Sequence, residues 1–453
     1  MLDIHGRRAA WSRPGLNRRD FMRVGALSMA GLSVADWLKL KAHGQVQEAK
    51  AKAKSVIQFF MLGGPTHLDT FDPKPEAGND YCGPLKNPIE TNVPGIRISE
   101  LLPLTAKQAD KFSIIRSYNH QDFGHETAAY TVATGALPSG EMVYPSMGAV
   151  TSLKKGYEAG YQGGLPPYIT LTTPLPWFSD TGFLGTKYQT FATFGDPNDK
   201  GFRVQGLAMA GGLTDKRLEE RRTLLQSVDT LDKEMDQEPA FREIDGFHQK
   251  AYSMVLGDAK KAFDMSQEKD EVREKYGRNY FGQCCLLARR LVEQGVPFIT
   301  VNWGPWDTHT DNFGAMKSTL PVFDKGFASL MEELAQRGLL QSTIVLWCGE
   351  FGRTPKIDWN PPWNGGRHHY PLCYSAVVGG GGFRGGTVVG SSDAKGELPK
   401  DRPVYPWDLT ASIYKLLGIN PTDRLPHPQG CVAYVTPPSK GDRPSGGLLT
   451  EIM

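Results

Sequence analysis

Residues 342–370 read STIVLWCGEFGRTPKIDWNPPWNGGRHHY, and this segment predicts both the fold class and the place of a site. It opens with a short apolar, β-branched run at residues 344–348, which is typical of a buried strand. Side chains suited to an ion or an anion follow the strand or close the loop after it: Glu350, Arg353, Arg367, His368 and His369. In open α/β sheets, ligands bind beyond the carboxyl ends of the strands. We therefore expect these side chains to meet at that edge.

The composition indicates a globular protein and excludes several classes. The chain has 453 residues, which suits one large α/β domain with insertions or two domains. Its hydrophobic fraction of 40% and charged fraction of 22% are ordinary, and a net charge of +2 gives no argument for nucleic-acid binding. The six cysteines form no CxxC motif, which excludes zinc-ribbon and thioredoxin sites and leaves one or two disulfides open.

The N-terminal region has the pattern of an export signal. Residues 17–23 read NRRDFMR and precede the weakly apolar stretch VGALSMAGLSVADWL. This order of basic, apolar and small residues predicts a twin-arginine signal region over residues 1–45, with export to the periplasm or cell envelope. The apolar run contains Asp36 and is too short to predict a membrane span in the mature protein. The alternative is an amphipathic helix that follows two arginines.

The remaining residues, 46–453, are predicted to form an α/β domain. Apolar runs predict strands at residues 56–62, 112–118, 168–172, 296–303 and 344–348. Helical spacing with charged faces predicts a helical insertion over residues 214–292 and a further helix at 319–338, and YPWDLTASIYKLLGINP (405–421) predicts a helix capped near Gly418.

Polar side chains follow the first two predicted strands. His67 and Asp69 come after the first strand, in a loop where turn chemistry is the alternative explanation. His120 and His125 bracket the turn after the second strand. A helix is predicted from there on, and its N-terminus favours anions, although both histidines would also serve as caps or loop hydrogen bonders.

A third loop carries Asp307 and His309, after the strand at 296–303. The two residues alternate, so in an extended loop both side chains point the same way and could hold one ion. A carboxylate with an imidazole suits zinc, manganese or iron. The alternative is an aspartate turn beside a histidine.

A glycine-rich stretch near the C-terminus matches the dinucleotide pattern GxGxxG at residues 380–385. That site needs a helix directly after the glycines. The following residues, TVVGSSDAKGE, predict a strand and a turn instead. We therefore expect a glycine-rich hairpin.

Several of these motifs resemble the alkaline phosphatase superfamily, which includes sulfatases, phosphodiesterases and phosphomutases. HETAAYTVATG looks like its nucleophile helix, with His125 at the nucleophile position. WDTHTDNF looks like its Asp-plus-His metal loop. VLWCGEFG resembles its strand ending in Ser-Asp-His-Gly, with Glu350 and Phe351 in place of the Asp and His. His368 or His369 would be the later histidine ligand, and DLTASIYKLLGINP is similar to the C-terminal helix of sulfatases.

The combination of GGPTHLDTFDPKP, WDTHTDNF, GEFGRTP and VVGGGGFRGG with the twin-arginine start looks like one bacterial family. This family is called domain of unknown function 1501 and is grouped with the sulfatase-like proteins. The resemblance runs from about Arg18 to Pro421. It implies a three-layer α/β/α, alkaline-phosphatase-like or sulfatase-like core with a mostly parallel central sheet and a helical insertion.

The sequence also departs from the superfamily pattern. The first strand ends in Gly63-Gly64, where the superfamily usually has a metal-binding Asp, and Phe351 cannot bind a metal. The Cys-x-Pro-Ser-Arg signature of sulfatases is absent, so formylglycine chemistry is not expected. One complete metal site is expected, and a two-metal clamp lacks ligands.

Two functions are consistent with this pattern. The first is an exported, metal-dependent hydrolase of phosphate or sulfate esters, acting on an anionic small-molecule or glycan ester, with zinc or manganese as the ion and calcium as a third option. Its expected metal ligands are Asp307, His309, Glu350 and His368 or His369, with His67 and Asp69 as further candidates. Its expected catalytic residues are His125 or Thr127 as nucleophile or general acid/base and Arg353 and Arg367 as the anion clamp.

The second function is a catalytically degenerate sulfatase-like binding or scaffold protein at the cell envelope. The absence of the usual nucleophile type and the Phe351 replacement favour it. The many ionisable residues at strand ends favour the enzyme, because buried charge is costly without a role.

Overall fold

The computed structural model describes residues 51–139, 142–174, 181–204, 258–437 and 445–453, together with residues 207, 217, 220 and 223. The predicted signal region at 1–45 lies outside this range. Most of residues 214–257, the first part of the predicted helical insertion, lies outside it as well. Within it, no helix combines the length and apolar character needed to cross a membrane.

The strands are numbered here in chain order. They are β1 Ser55–Met61, β2 Ile89–Glu90, β3 Arg97–Ile98, β4 Phe112–Tyr118, β5 Tyr168–Thr170, β6 Phe191–Ala192, β7 Phe298–Trp303, β8 Thr343–Gly349, β9 Gly352–Arg353, β10 His369–Tyr370, β11 Tyr374–Gly379, β12 Thr387–Val389, β13 Ser391–Ser392, β14 Pro399–Asp401, β15 Arg424–Leu425 and β16 Ala433–Tyr434.

Eight of these strands form the central sheet, in the order β12-β4-β11-β8-β1-β7-β5-β6. All neighbouring pairs are parallel except those of β11, which runs antiparallel to β4 and to β8. β1, β4, β7 and β8 therefore end at the same edge of the sheet. The predicted mostly parallel sheet is confirmed.

The α-helices are also numbered in chain order. They are α1 Asn79–Cys82, α2 Pro103–Ala106, α3 His125–Thr134, α4 Met147–Lys155, α5 Asp270–Tyr276, α6 Tyr280–Glu293, α7 Asn312–Gln336 and α8 Pro406–Leu416. Short 3₁₀ turns lie at Pro75–Ala77, Ala109–Lys111, Tyr157–Ala159, Gly182–Leu184, Thr186–Tyr188, Asp258–Phe263, Met265–Gln267, Leu340–Ser342 and Thr450–Ile452.

Helices cover both faces of the sheet. Along β1, Ile57 and Phe59 belong to one apolar cluster together with the buried side chains of α6 and α7. Val56 and Phe60 belong to a second cluster, with α3, α4 and α8. Because successive strand residues point to opposite faces, this alternation shows a sheet between two helical layers. The structure thus has the predicted three-layer α/β/α fold.

The predicted elements differ from the structure mainly at their ends. The strand predicted at 112–118 coincides with β4. The helix predicted at 319–338 begins earlier, at Asn312, because the Asp311 side chain caps it by accepting from the Gly314 N–H. Of the predicted insertion, the part from Asp258 onward contains the 3₁₀ turns and helices described above, including α6 with its buried apolar face.

The glycine-rich stretch is a tight loop after β11 and not a dinucleotide site, and the expected hairpin is wrong because β11 and β12 each pair with β4 and not with each other. Gly380 and Gly381 have positive φ, and a Cβ on Gly380 would lie 2.3 Å from the Thr343 carbonyl oxygen. The loop leads directly into β12, so no helix follows the glycines. All six cysteines are free thiols, five of them buried, so the disulfides left open by the sequence do not form.

Candidate metal centre

The parallel strands deliver polar side chains from four parts of the chain to one edge of the sheet. His125 begins α3 after β4, and Asp307 and His309 follow β7. Glu350 follows β8, and His369 lies in β10, in the loop that leads back into β11. The predicted convergence at the carboxyl edge is therefore present in the structure.

Three imidazole nitrogens meet the carboxylate of Asp307. His309 Nε2 lies 3.0 Å and His369 Nε2 lies 3.2 Å from Asp307 Oδ1. His125 Nε2 lies 3.4 Å from Asp307 Oδ2. Ligand atoms of His125, Asp307 and His369 all lie within 4.8 Å of one another, which is close enough to share one ion. We call His125, Asp307, His309 and His369 the ion cluster.

His125 is held by a buried carboxylate. Its Nδ1 lies 2.7 Å from Glu350 Oε1, which also accepts the Gly63 N–H at 2.8 Å. A carboxylate can only accept, so His125 Nδ1 carries the proton and Nε2 offers its lone pair toward Asp307. Glu350 is only 2% exposed, and its second oxygen, Oε2, has no hydrogen-bond partner. Glu350 thus orients His125 in the way that outer-shell carboxylates orient metal-binding histidines.

His369 is oriented by a backbone carbonyl and by an aromatic ring. Its Nδ1 lies 2.8 Å from the Phe123 carbonyl oxygen, so Nδ1–H donates there and Nε2 is left as an acceptor. Phe351 stacks on the His369 ring, with 4.3 Å between ring centroids and an interplanar angle of 28°. Phe351, which the sequence resemblance aligns with a metal-binding histidine, packs against His369 instead.

The third imidazole, His309, continues into a polar chain. Its Nδ1 lies 2.9 Å from His368 Nδ1, and His368 Nε2 lies 3.4 Å from Asp358 Oδ2. The Nε2 atoms of His309 and His369 are 3.0 Å apart. His368 therefore contacts the ion cluster through His309.

The electrostatics of the centre favour an ionised aspartate. Burial raises the pKa of Asp307, but the contact with His369 and the guanidinium of Arg353 outweigh it and hold that pKa well below its usual range. The hydrogen bond to Glu350 raises the pKa of His125, against the lowering by burial. Burial, opposed by Asp307, lowers the pKa of His309.

The two arginines expected to bind an anion are engaged inside the protein. Arg353 is fully buried and donates to Asp307 and to the carbonyl oxygens of Gly63, Gly64 and Arg367. Arg367 is fully buried as well and forms a two-pronged pair with Asp69, at 3.0 Å for each contact. Its other bonds go to the carbonyl oxygens of Thr354, Pro355 and Tyr81.

Asp69 and Arg367 therefore lie in a structural ion pair and not in the ion cluster. Asn312 donates to Asp69 at 2.8 Å and accepts from Thr308 at 2.7 Å, both beside the loop that carries Asp307 and His309. The buried guanidinium of Arg367 has no donor left for a ligand, and the Asp69 carboxylate accepts from Arg367 and Asn312. The structure therefore does not support Arg367 as an anion clamp or Asp69 as a metal ligand.

His67 and Thr127 also have other partners. His67 is buried, and its Nε2 lies 2.8 Å from the Gly396 carbonyl oxygen, while Nδ1 has no partner. The exposed Thr127 donates its hydroxyl to Asp122 at 2.5 Å. His120 accepts the Asp122 N–H at Nδ1 and donates from Nε2 to the Glu350 carbonyl oxygen at 2.6 Å, so it supports the turn that carries Glu350.

Glycines at the strand ends let these loops approach each other. Gly64 has a φ of 77°, and a Cβ there would lie 2.4 Å from the Phe351 carbonyl oxygen. A Cβ on Gly366 would lie 1.8 Å from the carbonyl oxygen of His309. Gly64 and Gly366 thus allow the backbone segments that carry Phe351 and His309 to pass close to them.

The donor set fits a divalent transition metal. Imidazole nitrogens with one carboxylate are ligands for zinc, manganese or iron, whereas calcium prefers oxygen ligands throughout. His125 and His369 each have an acceptor for the Nδ1 proton, and His309 Nδ1 lies 2.9 Å from His368 Nδ1, so each imidazole can present Nε2 to an ion. The sequence does not reveal two of the residues beside these histidines. Phe123 accepts from His369 through its backbone carbonyl oxygen, and Asp358, which contacts His368, lies in a turn.

A family model described as "Protein of unknown function (DUF1501)" matches residues 53–440. The chain belongs to this DUF1501 family. The match includes every residue of the ion cluster and its hydrogen-bond partners. A sequence comparison with curated proteins finds no match.

The DUF1501 chain has distant similarity to solved structures of sulfatases, phosphatases and synthases. The lipoteichoic acid synthase LtaP from Listeria monocytogenes is 10% identical, with 83% of this chain and 74% of that chain covered and a TM-score of 0.39. The PsFucS1 sulfatase from Pseudoalteromonas sp. is 14% identical, with coverages of 83% and 70% and a TM-score of 0.34.

The alkaline phosphatase from the Antarctic bacterium TAB5 is 12% identical, with 81% of this chain and 98% of that chain covered and a TM-score of 0.35. All three TM-scores lie below 0.5. The fold assignment therefore rests on the sheet order and the layers of the DUF1501 chain itself.

Proposed function

We propose that this protein is an exported, metal-dependent hydrolase of phosphate or sulfate esters, with zinc or manganese held by the ion cluster. One observation carries the proposal. The Nε2 atoms of three histidines converge on the Asp307 carboxylate, and each imidazole has a separate acceptor for its other nitrogen. Such an arrangement of lone pairs serves to bind an ion.

The chain's own residues would bind and orient the ion. His125, His309, His369 and Asp307 are the ligands in this proposal, and Glu350 holds His125 in position. When bound, a divalent ion supplies positive charge that polarises an ester oxygen and stabilises negative charge in the transition state. His125 acts here as a ligand, in place of the nucleophile expected at its position.

The surroundings of the cluster support an anionic substrate. α3 begins at His125 and has no side-chain cap, and an uncapped helix N-terminus favours an anion. Arg353 keeps Asp307 ionised and does not bind the substrate, because its donors are engaged. The anionic group of a small-molecule or glycan ester would then be held chiefly by the ion.

Elemental analysis and ester turnover test the proposal together. We expect purified protein to contain a stoichiometric transition metal and to hydrolyse at least one ester in a panel of phosphomonoesters, phosphodiesters and sulfate esters. The Asp307→Asn and His369→Ala variants should lose both properties. His427→Ala is the matched control, because His427 lies in a separate loop where its Nδ1 accepts the Gln429 N–H. Metal retained at full stoichiometry in both site variants would refute Asp307 and His369 as metal ligands.

The export part of the proposal rests on the basic pair Arg18-Arg19 and the apolar stretch after it. Replacing both arginines by lysine should keep the protein in the cytoplasm, while the unchanged chain appears in the periplasmic or envelope fraction. Equal export of both chains would contradict the twin-arginine route.

A second candidate function is a binding or scaffold protein at the cell envelope that holds an anionic glycan through the ion. Two observations favour this candidate. Arg353 and Arg367 are engaged inside the protein, so they do not bind an anion. The Thr127 hydroxyl donates to Asp122, and no described side chain at the cluster is a free hydroxyl or thiol nucleophile. Protein that contains metal and binds sulfated or phosphorylated glycans without turnover of any ester would support this candidate over the hydrolase.

A further inference from the structure

The loop of residues 358–368 places His368 next to His309, on the side away from Asp307, and Asp358 next to His368. Asp358 N–H donates to the Gly366 carbonyl oxygen at 3.0 Å, and Gly365 N–H donates back to the Asp358 carbonyl oxygen at 2.8 Å. These two bonds close the loop, so that Asp358 lies beside His368. The ring edge of Trp363 meets His368 with 4.8 Å between centroids and an interplanar angle of 85°.

The backbone of His368 is fixed independently of its ring. Its N–H donates to the Thr354 hydroxyl at 3.0 Å, and its carbonyl oxygen accepts the Thr354 N–H at 2.8 Å. The neighbouring His369 pairs with Arg353 in the β9–β10 ladder. The backbone of His368 is thus held by Thr354, while its ring contacts Asp358, Trp363 and His309.

The protons along this chain can be assigned one at a time. The Asp358 carboxylate can only accept, so His368 Nε2, at 3.4 Å, is the donor. A neutral His368 then has a lone pair on Nδ1. His309 Nδ1 lies 2.9 Å from that lone pair and must carry the proton between them. His309 is left with a lone pair on Nε2, the atom that faces Asp307 and His369.

We propose that His368 and Asp358 are positioning residues that fix His309 in the tautomer whose Nε2 binds the ion, and that His368 is not itself an ion ligand. This inference rests on the ion site of the proposed function. It differs from the expectation drawn from the sequence, in which His368 and His369 are interchangeable candidates for one ligand.

The same logic applies to the other two imidazoles, which strengthens the assignment. Glu350 accepts from His125, and the Phe123 carbonyl oxygen accepts from His369. His309 has His368 in the equivalent place. Because outer-shell partners of this kind fix tautomer and orientation, their loss typically weakens metal binding about 10- to 100-fold without removing a ligand.

The competing arrangement has an ion between the two Nδ1 atoms of His309 and His368. Both nitrogens would then offer lone pairs, and His309 Nε2 would donate to Asp307. In that case His368 is a ligand and Asp358 orients it. The two arrangements predict different outcomes for His368→Ala, which removes a ligand only in the competing arrangement, whereas His368→Asn puts an amide oxygen in place of the accepting Nδ1.

The experiment compares His368→Ala, His368→Asn and His369→Ala in the full chain, loaded with cobalt(II). Ion affinity is measured by competition with a chromophoric chelator, and the ligand set is read from the visible absorption spectrum of bound cobalt(II). We expect His368→Ala to weaken binding about 10- to 100-fold with an unchanged spectrum. His368→Asn should restore affinity to within a few-fold of wild type, and His369→Ala should change the spectrum.

Asp358→Asn provides a further test of the chain. It should weaken binding less than His368→Ala, because His368 keeps its acceptor nitrogen and loses only its orientation. Thermal unfolding of each variant checks that the chain is folded before affinities are compared.

Two results would overturn the inference. A cobalt spectrum of His368→Ala that changes as it does in His369→Ala would make His368 a ligand. An equal loss of affinity in His368→Asn and His368→Ala would show that the accepting atom does not matter. A wild-type chain that takes up no ion refutes the ion site itself, whereas an ion-loaded chain without esterase activity refutes only the hydrolase.

Discussion

Gly63 lies directly against the backbone of Asp307, and a Cβ added to Gly63 would stand 2.3 Å from the Asp307 amide nitrogen. Gly63 also has a φ of 103°, a conformation that other residues rarely adopt. Its N–H donates to Glu350, and its carbonyl oxygen accepts from Arg353. One small residue after β1 thus sets the position of three side chains of the centre.

Gly63→Ala should therefore impair the ion site as well as the fold. We expect a destabilisation of several kcal/mol, because the new methyl group displaces the Asp307 backbone in addition to the roughly 1 kcal/mol cost of the left-handed conformation. Ion affinity should fall in parallel, by competition titration. Gly160→Ala is the matched control, since Gly160 has a φ of 92° and nothing within 4 Å of an added Cβ. Equal effects in the two variants would contradict the close approach.

Glu350→Gln should weaken ion binding while the chain stays folded. The glutamine has the same size, but it lacks the charge that holds the His125 Nδ1 proton, and about a 10- to 100-fold weaker ion affinity is expected. Glu126→Gln is the control, since Glu126 is exposed on the first turn of α3. An unchanged dissociation constant in Glu350→Gln would show that Glu350 does not orient His125.

Arg367→Leu should act on stability rather than on an anion site. Breaking a buried, hydrogen-bonded ion pair typically costs about 3–5 kcal/mol, because Asp69 is left as an uncompensated charge. Arg278→Leu is the comparison, since Arg278 pairs on the surface with Asp270 and Glu274, and exposed pairs contribute about 0.2–1 kcal/mol. Urea unfolding measures both changes. A loss in Arg367→Leu no greater than in Arg278→Leu would refute the structural role.

His67 should make stability depend on pH on the acid side. Burial lowers its pKa from 6.5 to about 4, against the opposite effect of Asp72. Between pH 4 and 6.5 the unfolded chain then binds one more proton than the folded chain. The contribution of His67 to the free energy of unfolding is therefore fully present above pH 6.5 and is lost as the pH falls toward 4. The loss amounts to about 3 kcal/mol.

Unfolding free energies measured between pH 4 and 7 check this expectation. His67→Gln keeps an amide donor for the Gly396 carbonyl oxygen but does not titrate, so its stability should fall less steeply with acid. Parallel pH profiles for the two proteins would be inconsistent with a neutral, buried His67.

The strands and their polar ends were predictable because their signals are local. β4 was expected at the residues where it occurs, and Asp307, His309 and His369 were expected at one edge, because parallel strands end together. The limit lies in contacts between distant segments. Glu350 and His125 are 225 residues apart, and their hydrogen bond depends on a close approach of backbone at Gly63 that no local pattern encodes.

The roles of the two arginines also depend on contacts between distant segments, which the sequence does not reveal. A sequence reveals that Arg353 and Arg367 follow a strand, but not that carbonyl oxygens and carboxylates saturate them. Charged residues near a site suggest ligand binding only while their donors are free. Here the fold uses both guanidinium groups to hold its loops together.

The ion cluster is drawn from segments that chain synthesis produces far apart in time. Phe123, whose carbonyl oxygen orients His369, precedes it by 246 residues, and the strands that carry the cluster meet only when the sheet has assembled in its final order. Contacts of such sequence separation form late in folding. If the proposed ion site exists, a partly made chain would therefore lack a place for the ion, and metal uptake would report that the whole sheet has assembled.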